Sequence, residues 1–173
     1  MNFKFKFTII ACIIPLISVL WGFFDKNISL FLNSLLTILC IGGLLVFDKK
    51  IRIFSSRTYA IVLIFILLSV FGGRALGAYE KLTYWDKTLH FLSGFILVII
   101  GKQIYIKFKG NTTNKALRKT YSFFIAVSGA AFWEIFEFLC DKILGTSAQN
   151  NSLTDTMLDI ILGTVSALFA IFI

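Results

Sequence analysis

Charge is scarce in this chain. Aspartate, glutamate, lysine and arginine make up 15% of its 173 residues, while 58% are hydrophobic; a soluble globular domain is nearer a quarter charged and half apolar. A water-soluble core has no use for such a surplus, so a soluble fold is excluded. Histidine occurs once, at His90, which excludes enzymes that need two, the lipid phosphatases of the acid-phosphatase type among them. The His-Glu-x-x-His pair of zinc proteases and the Gly-x-Ser-x-Gly nucleophile elbow are absent. So is the ferritin-like Glu-x-x-His pair, because Glu134 is followed three residues later by Glu137. Cys12, Cys40 and Cys140 lie scattered in or beside apolar runs, a spacing that fits neither a zinc site nor a disulfide framework; they read as small buried hydrophobes. No internal repeat, low-complexity tract or soluble domain interrupts the chain.

What is present is apolar and grouped. Six stretches, at about 7–24, 28–47, 58–79, 88–107, 120–140 and 153–173, reach the roughly 20 residues that a membrane-spanning helix needs. Within a bilayer the backbone must satisfy its own hydrogen bonds. A helix does so locally, whereas a barrel needs alternating strands, and these runs do not alternate. The expected fold is all-α: a polytopic bundle of six transmembrane helices forming a single integral membrane domain over 1–173. Lys4 and Lys6 ahead of the first run resemble a signal peptide, but Trp21-Gly22-Phe23-Phe24-Asp25 offers no small-x-small cleavage site. The first run is therefore read as an uncleaved helix.

The formal net charge of +8 does not indicate nucleic acid, because the basic residues fall between apolar runs and not along one amphipathic face. The partner they imply is a lipid bilayer. With the N-terminus in the cytoplasm, Lys4, Lys6, Lys49, Lys50, Arg52, Arg57, Lys102, Lys107, Lys109, Lys115, Arg118 and Lys119 fall inside. Lys26, Arg74, Lys81, Lys87 and Lys142 fall outside. The positive-inside bias thus places both termini in the cytoplasm of a bacterial cell, with the protein in its cytoplasmic membrane.

The acids sort the opposite way: only Asp48 falls inside. Acidic residues contribute little to topology, so this asymmetry needs another cause. Asp86 and His90 open the fourth run at i, i+4, and Asp155 and Asp159 open the sixth at the same spacing. Glu134, Glu137 and Asp141 close the fifth at i, i+3, i+7. Each set forms one helical stripe, and all three lie in the same outer layer, Glu134 and Asp159 roughly 9 Å from their helix ends. Small residues continue the stripes: Gly94 and Gly101 in the fourth run, Gly163, Ser166 and Ala170 in the sixth, with Ser69, Gly73 and Gly77 in the third. Such residues let helices pack closely, so the charged stripes are expected to face one another. Arg74 reaches the same layer and is expected to turn inward as a counter-charge.

Ionisable groups at this depth are costly unless paired or solvated, and mark a functional site by default. One imidazole with several carboxylates suits a divalent metal: magnesium, calcium or manganese from the oxygens, zinc or iron once imidazole joins. Asp86, His90, Glu134, Glu137, Asp155 and Asp159 are the candidate ligands. Three function classes follow. The first is a metal-assisted enzyme or binding protein acting on a cell-envelope or lipid-linked substrate at the extracytoplasmic side. The second is a structural or regulatory protein whose acids form salt bridges, with Arg74 and Lys87 as counter-charges. The third is a cation or proton transporter, disfavoured because the inner halves of the last three runs carry almost no ionisable group apart from Lys102.

Three motifs occur in order: Asp86-Lys87-Thr88-Leu89-His90-Phe91, then Phe132-Trp133-Glu134-Ile135-Phe136-Glu137-Phe138, then Asp155-Thr156-Met157-Leu158-Asp159 with Gly163. Together they resemble the YjdF-like bacterial membrane proteins, a family of unknown function, over about residues 58–173. More remotely, the Asp-Lys-x-x-His-Phe element with the late Asp and Gly is similar to VanZ-like proteins, one of which is linked to glycopeptide-antibiotic resistance. The Glu-x-x-Gln element followed by Arg and Ser that usually accompanies the VanZ-like pattern is not clearly matched here. The resemblance therefore implies a membrane architecture and a choice of site residues, and supplies no substrate.

Overall fold

The computed structural model describes residues 3–109, 114–150 and 152–173. Its long elements are all helical. They are α1 (Phe3–Phe24), α2 (Ile28–Ile51), α3 (Ser56–Ile66) continued by a π-helical segment (Leu67–Ala75), the short α4 (Ala78–Lys81), α5 (Trp85–Lys109), α6 (Lys115–Leu144) and α7 (Leu153–Ala170). Among the described residues, six helical spans of 18 to 30 residues are apolar enough to cross a membrane. At 1.5 Å per residue they reach about 27–45 Å, against a hydrocarbon layer of roughly 30 Å. At most 33% of the most apolar window of any span is buried within the protein. Phe24, Phe132 and Leu153 are among many large apolar side chains that face outward. An outward surface of this kind is stable against lipid and not against water. The protein is a multi-pass membrane protein.

The contacts divide the chain into two compact units, Met1–Asp86 and Lys87–Ile173. In the first, Asn27 caps α2 by accepting from the Leu30 amide at 3.0 Å. Gly22 permits the tight α1–α2 return, since a Cβ there would lie 2.8 Å from the Phe31 nitrogen. Ile41, Tyr59 and Leu63 form the core. Asp48 is buried beside it. Its carboxylate takes the Lys4 ammonium at 2.6 Å and the Phe54 amide at 3.1 Å, while Lys4 also donates to the Phe54 carbonyl at 2.5 Å. A buried Thr8–Tyr59 hydroxyl pair at 2.6 Å lies one turn further along α1.

The third span departs from the sequence expectation of one α-helix over 58–79. It widens into a π-helix at Leu67 and stops at Ala75, and Gly77 adopts φ +73°. Gly77 lies beyond the end of that segment and so no longer continues the stripe of Ser69 and Gly73. Gly73 is covered by the Tyr79 ring of α4.

The second unit is a three-helix arrangement organised by a seam of small residues. Along α6 the seam runs Ser122, Ala126, Ala130, Glu134, each four residues on and each buried. Along α5 it runs His90, Gly94, Val98, Gly101, Tyr105. A Cβ at Gly94 would collide with Ser166 Oγ and the Gly163 carbonyl, and one at Gly101 would lie 2.8 Å from Ser122 Cα. A Cβ is tolerated at Gly163 only at 3.2 Å from that of Ala130. The backbones therefore approach as closely as only small residues allow. Val98, Ala126, Ala167 and Ala170 fill the middle.

Candidate functional site

The seam fixes which side chains meet at one end of the second unit. α5 and α7 both begin at that end and α6 finishes there. His90 lies one turn before Gly94 on α5, and Asp159 one turn before Gly163 on α7. Gly94 packs against Gly163 and Ser166, so the preceding turns bring His90 and Asp159 side by side. Glu134 is the next seam position after Ala130 on α6. As a result His90 Nε2 lies 3.7 Å from Glu134 Oε1 and 4.0 Å from Asp159 Oδ1. All three residues are buried, at 8%, 3% and 2% exposure.

One turn nearer the helix starts, Lys87 donates to Asp155 Oδ1 at 2.6 Å and to Asp159 Oδ2 at 2.9 Å. Asp155 also accepts from the Asn150 side-chain amide at 3.0 Å. Its own backbone N–H is capped by Ser152 Oγ at 3.2 Å. Glu134 is held from above by Gln149, whose amide donates to the Glu134 carbonyl at 3.0 Å and to Oε2 at 3.2 Å.

Gln149 is placed by Asp141. That carboxylate accepts from Thr146 Oγ1 at 2.6 Å, the Ala148 amide at 2.7 Å and the Gln149 amide at 3.0 Å. It thereby organises the turn that follows Gly145, itself at φ +67° beyond the end of α6. Grouping Asp141 with Glu134 and Glu137 in one inward stripe needs correction here, because its partners are in the loop. Helical phase alone does not decide this: at the last turn of a helix a carboxylate finds free loop amides within reach.

Of the six candidate ligands, His90, Glu134 and Glu137 each offer a ligand atom within 4.8 Å of the others. Asp86, in the first turn of the same helix as His90, forms a second such set with His90 and Asp159. Asp155 sits outside both sets, engaged with Lys87 and Asn150. Arg74 lies exposed in the π-helical segment of the first unit. The cation that Asp155 and Asp159 share is Lys87.

Beside the cluster, between α6, the loop and α7, lies a cavity of about 600 Å³. Ala131, Ile135, Phe138, Leu153 and Ile160 give it an apolar wall, and Glu134, Asp141, Lys142 and Gln149 a polar one.

A family profile described as "Predicted membrane protein (DUF2238)" matches residues 5–173. The chain belongs to this family. As a DUF2238 protein it is similar to an uncharacterised protein of Thermotoga maritima, with 34% identity over 106 residues. That match covers 61% of this chain and 55% of the relative, so the aligned part spans about half the relative's length. No solved structure matches.

Sequence reasoning missed Gln149 and Asn150 in this DUF2238 chain. Their signal was a polar, nearly uncharged stretch directly before a helix that opens on two acids. Neutral amides can satisfy carboxylate oxygens without adding charge, which is what that composition allows.

Proposed function

We propose that the His90–Glu134–Glu137 set, with Asp86 and Asp159 beside it, holds a divalent metal ion, and that the metal serves chemistry on an amphiphilic, cell-envelope or lipid-linked substrate. The observation that carries the reading is convergence: an imidazole and two carboxylates offer atoms within 4.8 Å of one another on two helices locked by a small-residue seam. Ligands at about 2.0–2.6 Å from one ion lie no more than about 5 Å apart, so the spacing suits an ion between them. The donor set of mostly oxygen with one nitrogen favours manganese, zinc or iron over a purely oxygen-bound calcium.

The cavity supports the substrate class. It has an apolar wall suited to an acyl or polyprenyl chain, and Glu134 stands on its polar side. A substrate entering from the bilayer would bring its head group to the carboxylate that faces His90. Lys142, on the cavity wall, would favour an anionic head group. The positive-inside bias supports an extracytoplasmic position for this end.

A second reading, a purely structural salt-bridge network, draws on Lys87 holding Asp155 and Asp159. Ion or proton transport draws on nothing comparable. Between Glu134 and Arg118 the α6 seam is Ala130, Ala126 and Ser122, and between His90 and Lys102 the α5 seam is Gly94, Val98 and Gly101, none of them ionisable.

The test is the metal content of purified protein, parent against His90→Ala and Glu137→Gln. Near-stoichiometric metal in the parent and its loss in both variants supports the site. A metal-free parent whose variants differ only in thermal stability leaves the structural reading standing.

A further inference from the structure

The other end of the second unit has the opposite chemistry. Gly101 and Ser122 bring α5 and α6 almost into backbone contact. Lys102 follows Gly101, and Arg118 lies one turn before Ser122, so the two cations are delivered to one place. The charges of Arg118 and Lys119 act on Lys102. The Lys102 ammonium reaches the Ala170 carbonyl at the end of α7 at 3.2 Å. Lys119 Nζ stands 5.1 Å from the centre of the Phe172 ring. Three helices thus contribute to a single cationic corner.

We propose that this corner binds the phosphate of an anionic membrane phospholipid. Three like charges drawn together by packing repel one another unless an anion joins them. The second unit's own acids do not. Those of the second unit are Glu134, Glu137, Asp141, Asp155 and Asp159, and they lie at the far end, Glu134 about 24 Å along α6 from Arg118. Arg118 Nε is buried and has no hydrogen-bond partner among the described residues, so it has a donor available to an acceptor that those residues do not supply. A guanidinium takes phosphate through paired N–H donors, and an ammonium adds a point charge.

The position favours a lipid over a free anion. Tyr105 and Tyr121 pack with ring centres 5.7 Å apart at the same level, as amphipathic rings do at a membrane interface. Leu117 and Phe124 of α6 face outward beside the cations, where acyl chains would lie. Basic pockets between transmembrane helices are a recurrent form of head-group recognition. This inference stands apart from the proposed metal site.

Native mass spectrometry of the full chain in detergent, with phosphatidylglycerol or phosphatidylcholine added, tests it. The parent is expected to retain phosphatidylglycerol roughly tenfold better. The Arg118→Gln/Lys119→Gln variant is expected to lose that preference, and Lys107→Gln/Lys109→Gln, which removes equal charge from exposed positions, to keep it. Equal retention of the two lipids by the parent overturns the proposal without any variant having to fold. Equal loss in both variants overturns it in favour of unspecific charge. Glycerol phosphate competing as well as phosphatidylglycerol would overturn the lipid assignment in favour of a soluble phosphate ester.

Discussion

Lys87→Met is the most direct probe of the acidic end of the second unit. The methionine keeps most of the stem and removes the ammonium that sits 2.6 Å from Asp155 and 2.9 Å from Asp159. Removing one partner of a buried ion pair typically costs about 3–5 kcal/mol, because the remaining charge is left uncompensated. The two carboxylates will not suffer equally. Asp155 is 18% exposed at its side chain and keeps the Asn150 amide, whereas the Asp159 side chain is 3% exposed. Lys87 itself is 22% exposed, which weakens the pair by solvent screening. The loss is therefore expected at the low end, about 3 kcal/mol, or roughly two orders of magnitude in the folding equilibrium.

Chemical denaturation in detergent micelles, followed by tryptophan fluorescence, reads it. Lys87→Met/Asp159→Asn, which removes the ammonium and the more deeply buried of its two carboxylates, should recover most of the loss seen in Lys87→Met alone. A Lys87→Met protein within about 0.5 kcal/mol of the parent would refute the reasoning, because Asp159 would then be neutral or otherwise compensated and Lys87 incidental.

Other expectations follow from the same structure. Gly94→Ala should destabilise by about 1–3 kcal/mol, since its Cβ meets Ser166 Oγ and the Gly163 carbonyl. Gly129→Ala should be milder, its nearest atoms being the flexible end of Leu97; equal effects in a denaturation series would contradict the seam. Asp48→Ala leaves the Lys4 ammonium with the Phe54 carbonyl and the Tyr59 ring face and should cost about 2–3 kcal/mol, while Asp25→Ala, at an exposed turn, should be near neutral by the same assay. The orientation proposed from the positive-inside bias expects a reporter fused after residue 50 to read cytoplasmic and one after residue 147 external; a cytoplasmic reading at 147 would overturn it.

The architecture was legible because length and hydropathy decide it. A run near 20 apolar residues has few stable forms in a bilayer besides a helix, and the last three spans appear where those runs lie. The grouping of His90, Glu134 and Asp159 at one level was legible for a similar reason, since helical phase and depth are arithmetic. Other features were not. The π-helical turn at Leu67–Ala75 has no strong residue signature, because one extra residue per turn changes spacing without changing composition. Asp48 was read only as the exception to an acidic layer; its pair with Lys4 follows from the tight α1–α2 return, which sets the two residues equally far from the turn, while its bond from the Phe54 amide depends on the chain doubling back after α2, which periodicity does not encode. Asp141 was misplaced because phase places a side chain on a face but cannot say whether nearby loop amides will capture it.

The seam and the site are one device. A carboxylate or imidazole at bilayer depth is tolerated only when protein replaces water around it, and protein can close around it only if the helices come near enough. Gly94 against Gly163 and Ser166 sets the distance between α5 and α7. One turn on, the same two backbones leave room for the His90 ring and the Asp159 carboxylate 4.0 Å apart, with the His90 carbonyl 3.6 Å from where a Cβ on Gly163 would stand. A larger residue at Gly94 would therefore act on groups it does not touch. It would wedge the helices apart at one level, and His90 would move away from Asp159 at the next. The small residues specify where the charged ones can be buried, and the charged ones gain nothing from burial unless held at that spacing.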